Sequence, residues 1–113
     1  MRTAQELFDT VATHLIKQGK KSFSKETGYC LYRGPDGMKC AIGCLIPDSD
    51  YSIHFECNDL RQLLNSGKLP KNLVEEFTYC KSMLEELQRL HDNEEPNVWK
   101  KRLADIAKRY FKP

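Results

Sequence analysis

Apolar residues recur along much of this chain at helical spacing. Leu7, Val11 and Leu15 fall four apart with Phe8, Ala12 and Ile16 beside them, which predicts an amphipathic helix. Thr3-Ala4-Gln5-Glu6 fits a capping box at its start, and Gly19 closes it with Lys17, Lys20 and Lys21 near its negative end. A polar loop over residues 20–28 follows, anchored by Phe23. Tyr29–Arg33 is rich in β-formers, and Gly34-Pro35-Asp36-Gly37 has the proline and glycine placement of a type I turn. A two-stranded ribbon of Tyr29–Arg33 against Met38–Cys40 is the expectation for residues 29–40.

The run Cys40–Ile46 is wholly apolar apart from its small residues, so strand and buried helix compete for it. Ala41, Gly43 and Cys44 among Ile42, Leu45 and Ile46 favour a close-packed helix that Pro47 ends. Leu60, Leu63 and Leu64 mark a short helix closed by Ser66-Gly67. The longest predicted helix runs from about Asn72 to His91, on a stripe of Leu73, Phe77, Cys80, Leu84, Leu87 and His91. Pro96 opens a last helix with Trp99, Leu103, Ile106 and Tyr110 on its inner face, hairpinned against the one before. The expected fold is mostly α, formally α+β: about five helices and the short ribbon in one domain over residues 1–113.

Composition narrows the class. The 113 residues are 40% hydrophobic and 30% charged, the balance of an ordinary globule. No apolar run nears the roughly 18 residues of a membrane span, and the first fifteen residues have no continuous apolar core of a secretory signal. Cys30, Cys40, Cys44, Cys57 and Cys80 are an odd set, which argues against a disulfide framework and for a reducing, cytoplasmic setting. The net charge of +2 gives no strong overall field for nucleic acid.

The stretch "CLYRGPDGMKCAIGCLIPDSDY", with "LHDNEEPNVWKKRL" downstream, resembles a family of short uncharacterised proteins of phages, prophages and bacterial chromosomes. The resemblance covers most of the chain, and its Tyr-Arg-Gly…Gly-x-Lys-Cys-Ala-Ile-Gly run is the most specific part. A looser likeness joins it to small bacterial proteins in which a Cys-x-x-Gly helix follows a glycine turn. It implies a compact cytoplasmic protein of a phage or its bacterial host, and no particular activity.

Four chemistries compete. Cys30, Cys40, Cys44 and Cys57, with His54 as a substitute, offer zinc ligands, yet only Cys40-x-x-x-Cys44 has knuckle-like spacing. Buried cysteines equally serve as small hydrophobes, so the default reading carries no cofactor. Cys40, at an expected helix start beside Lys39, is a candidate nucleophile; His14, His54 and His91 are the available bases. Tyr32, Arg33, Gly34, Gly37, Lys39 and Cys40 surround a turn that could seat a phosphate-bearing metabolite or nucleotide signal. A solvated tight turn is the plain alternative.

Charge is also segregated. Residues 72–96 hold seven acids against Lys81 and Arg89, and residues 97–113 hold six bases against Asp105. Attraction between two antiparallel helices accounts for such a pattern, and so does a charged face for a partner. Lys100, Lys101, Arg102, Lys108 and Arg109 are the candidate partner-binding residues. The leading functional reading is a non-enzymatic, phage-encoded binding protein acting on a host or phage protein. A small-anion binder and a cysteine-dependent enzyme are the alternatives; nucleic acid and membrane are set aside, and a homo-oligomer stays open.

Overall fold

The computed structural model describes residues 1–111, and five α-helices lie within them. Helix α1 (Ala4–Gln18) starts on the expected capping box. Thr3 accepts from the Glu6 N–H, Glu6 accepts from the Thr3 N–H, and Gly19 ends the helix in the left-handed region at φ 66. Leu7, Phe8, Val11 and Leu15 are its buried face. Helix α2 (Leu60–Leu64) has a second capping box, between Asp59 and Gln62.

The predicted long helix is two. Helix α3 (Lys71–Tyr79) and helix α4 (Lys81–Asn93) meet at Cys80, whose φ of −108 and ψ of 22 leave the helical region. The apolar stripe survives the break, with Leu73, Phe77, Cys80, Leu84, Leu87 and His91 all buried. The break lets each half face different neighbours: α3 packs on α2, whereas α4 packs on α1 and α5. Helix α5 (Pro96–Phe111) returns along α4 after a two-residue link. Arg102 meets Glu94 and Arg109 meets Glu86, so the pairs advance in opposite directions and the hairpin is antiparallel.

The sequence expectations fail mainly between residues 29 and 46. The β-ribbon is reduced to one antiparallel bridge, Arg33 with Lys39, and a second single bridge joins Phe23 to Cys30. The turn is not type I. It closes from the Met38 N–H to the Pro35 carbonyl, and Asp36 and Gly37 are both left-handed, at φ 58 and 75. Such a left-handed pair suits the twist of antiparallel chains, and Asp and Gly are the residues that tolerate it.

Cys40–Ile46 is not a helix either; its regular part is the single 3₁₀ turn Gly43–Leu45. Side chains, rather than helix bonds, satisfy the backbone before it. The Gln18 amide accepts from the Lys39 N–H and donates to the Lys39 carbonyl, where the His14 ring also bonds. The Gln88 carbonyl accepts from the Ile42 N–H at 3.0 Å. With its polar groups met from α1 and α4, the segment can bury without regular structure. Cys40, Ala41, Ile42, Leu45 and Ile46 join the one core shared by all five helices.

Candidate functional site

Two polar centres flank this segment, and a third charged region lies on α5. The first is built on the Arg33–Lys39 turn. Arg33 donates through Nη1 to Asp48 Oδ1 and through Nη2 to the Ile46 carbonyl, both at 2.5 Å. Its guanidinium also lies 5.0 Å from the centre of the Tyr51 ring. Lys39 Nζ stands 3.7 Å from the same Asp48 oxygen. The Arg33 hydrogen bond, then the Lys39 charge, hold the Asp48 carboxyl below its ordinary range.

The backbone of this turn does bind an anion, and the anion is internal. Glu56 accepts from the Tyr32 N–H at 2.9 Å and the Arg33 N–H at 3.1 Å, and Tyr51 donates its hydroxyl to it at 2.6 Å. Tyr32 is buried and donates its hydroxyl to the Asn58 carbonyl; burial pushes its phenol up. Gly34 and Gly37 serve shape. A Cβ on Gly34 would stand 2.4 Å from Ser22 Oγ, and Gly37 takes the positive φ of the turn. The positive groups expected to receive a free phosphate are thus engaged by Asp48 and Glu56. Glu56 had no periodicity or motif to mark it in the sequence.

The second centre is a cleft of about 280 Å³ between the 30–40 segment, the 57–60 segment and α4. Cys30, Cys40 and Cys57, distant in sequence, all line it, with Asp59, Glu85, Arg89 and Asp92. Cys44 and His54 do not. Cys44 donates its thiol to the Ala41 carbonyl at 3.0 Å, and His54 is exposed on the Ile53–Phe55 turn. Burial first, and then the Asp92 charge and hydrogen bond, push the Cys30 thiol up to about 12.

Behind Cys30 lies a buried relay that periodicity did not reveal. His91 accepts the Ser22 N–H at Nε2 (2.9 Å), so its ring proton sits on Nδ1 and is donated to Asp92 Oδ1 (2.8 Å). Gln88 donates to the same oxygen at 2.8 Å, and the imidazole stacks 5.7 Å from the Trp99 ring. One ligand atom each from Cys30, His91 and Asp92 falls within 4.8 Å of the others. The sequence marked His91 as the end of a stripe and as one of three candidate bases for Cys40, not as a partner of Asp92; the neighbouring aspartate was the available clue.

Cys40 is not set up as a nucleophile. No helix begins at it, and its buried thiol is pushed up by desolvation even though its sulfur accepts the Gly43 N–H at 3.3 Å. His14 bonds the Lys39 carbonyl and His91 bonds Ser22 and Asp92, so neither ring is directed at the Cys40 sulfur.

The third region is the outer face of α5. Lys100, Lys101, Arg102, Lys108 and Arg109 are all exposed there. Arg102 pairs with Glu94 and Asp105, and Arg109 with Glu86. Among the described residues, Lys100, Lys101 and Lys108 have no acidic partner within 4.0 Å; Lys112, counted with this basic stretch, lies outside those residues. Among the described residues, no helix is long and apolar enough to cross a membrane. Compared with known proteins, the chain matches no family model, no curated protein and no solved structure.

Proposed function

We propose that this chain is a non-enzymatic binding protein that docks a protein partner of acidic surface on α5. The observation that carries the reading is the division of labour among the α5 cations. Attraction between α4 and α5 uses Arg102 and Arg109, whereas Lys100, Lys101 and Lys108 stay exposed and unpaired among the described residues. Complementary charge of this kind raises association rate and selects partners. The phage-like turn motif points to a partner from a host cell or a phage. The small-anion reading loses support, because Asp48 and Glu56 already engage the turn.

The test is chemical cross-linking and affinity capture from a bacterial host lysate at low and moderate salt, followed by mass spectrometry. Reversal of Lys100, Lys101 and Lys108 to glutamate is expected to abolish the salt-sensitive captures. The same reversal at Lys68, exposed just before α3, and at Lys71, exposed at its start, should leave them intact. Equal capture by both triple- and double-reversed proteins removes the α5 face from the reading.

A further inference from the structure

We propose that the cleft between α4 and the 30–40 segment is a zinc site, with Cys30 and Asp92 as inner ligands and Cys40 and Cys57 as the remaining thiols. Three cysteines separated by up to 27 positions converge on one small cleft of a chain in which no disulfide forms. Core packing explains a thiol pointing inward among apolar side chains. It does not explain the Cys30 sulfur lying within 4.8 Å of an Asp92 oxygen, in a cleft that two further thiols line. The cleft carries Asp59, Glu85 and Asp92 against Arg89 alone, so its charge favours a cation.

The ligand chemistry selects the ion. Thiolate with carboxylate suits a borderline-soft divalent cation of four-fold coordination, and disfavours magnesium or calcium, which take oxygen alone. Zinc–sulfur bonds of about 2.3 Å and zinc–oxygen bonds of about 2.1 Å place tetrahedral ligands ~3.6 Å apart. Cys30 Sγ and the Asp92 oxygen already lie within 4.8 Å, a gap that modest side-chain rotation closes. Binding forms the zinc–sulfur bonds and releases the thiol protons to solvent.

The surroundings fit ligands rather than bystanders. His91 is not itself a ligand: its Nε2 faces the Ser22 N–H, and binding metal through Nδ1 would turn that acceptor into a second donor. It acts as a positioning residue, donating Nδ1–H to Asp92 together with Gln88 and so aiming the carboxylate. The Gly43 N–H donates to the Cys40 sulfur, a bond that favours its thiolate. Cys57 stands exposed at the mouth, with the positive φ of 66. Its neighbours Glu56 and Asn58 are both tied to Tyr32, which fixes where that thiol emerges.

The experiment is zinc titration of the fully reduced protein in competition with a chromophoric chelator. Cadmium titration, followed by the thiolate-to-metal charge-transfer band in the ultraviolet, runs beside it. One zinc per chain is expected, bound at least tenfold more weakly by Cys30→Ser and Asp92→Asn, and more weakly by the exposed-site variant Cys57→Ser. Cys44→Ser and Cys80→Ser, which alter thiols outside the cleft, should bind as the native chain does. No cadmium band in the native protein overturns the site without reliance on any variant. Equal losses in Cys44→Ser and Cys30→Ser overturn it as well, since they would mean adventitious thiol binding.

Discussion

Gly43 shows how little freedom a single position can have. Its φ is not unusual; its constraint is space, since a Cβ there would fall 2.1 Å from the Tyr32 carbonyl oxygen and 2.8 Å from its carbon. The 3₁₀ turn therefore rests directly on the backbone that leads to Arg33. Neither chain segment can yield cheaply, because Tyr32 is held at its N–H by Glu56 and at its hydroxyl by Asn58. Gly43→Ala is expected to cost about 3 kcal/mol or more, at the upper end of overpacking effects. A urea midpoint within error of the native protein would show that the contact can relax. The small residues of "KCAIGC" predict a close-packed helix; Gly43 does pack closely, but within a 3₁₀ turn set against the backbone of Tyr32.

At the scale of elements, the informative joint is the one between the 19–31 loop and α4. That loop has no strand or helix of its own, only the Phe23–Cys30 bridge. Its inner anchor is the Ser22 N–H bonded to a fully buried His91, which in turn bonds Asp92 and stacks on Trp99. Replacing His91 by leucine keeps the volume and strands a buried donor, at a cost of about 1–3 kcal/mol. Amide exchange should quicken selectively at Ser22, whose N–H donates to His91, and at Leu31, whose N–H donates across the loop to the Ser22 carbonyl, and Trp99 fluorescence should shift. Uniform acceleration throughout the chain would instead mark a global loss of stability. The α3–α4 break belongs to this scale too: the stripe was legible, but the change of partner at Cys80 was not.

Across the whole molecule, the N-terminus is clamped to the middle of the chain. The Arg2 backbone N–H and guanidinium bond the buried Glu76 carboxylate, 74 residues away, at 2.6–3.1 Å, and Arg2 Nη2 reaches the Leu45 carbonyl. Burial pushes the Glu76 carboxyl up, but the Arg2 hydrogen bonds and charge together outweigh it and leave it below its ordinary 4.5. A carboxyl that ionises lower in the folded state contributes its full stability above about 4.5. That contribution is lost as pH falls through the lower folded value. Glu76→Gln should therefore cost roughly 1–3 kcal/mol at neutral pH and show a shallower loss than the native chain as pH falls below 4.5. Parallel loss in both proteins would assign the acid sensitivity to other groups.

Periodicity by itself determined α1, α2 and α5 and the buried stripe along α3 and α4, because a helix face needs only its own sequence to be recognised. The capping box at Thr3 and the stop at Gly19 were equally local. What depended on tertiary structure is the segment from Tyr29 to Ile46 and everything that surrounds it. There Gln18, His14 and Gln88 take over backbone bonds that a ribbon or helix would have made, and Glu56 and Asp48 fill the positive turn. Those partners are 15 to 46 residues from the groups they bond and obey no period, so no short window of sequence contains them. The same reason brought Cys30, Cys40 and Cys57 to one cleft and left Cys44 outside it: spacing specifies a knuckle, whereas convergence is decided by how the helices pack.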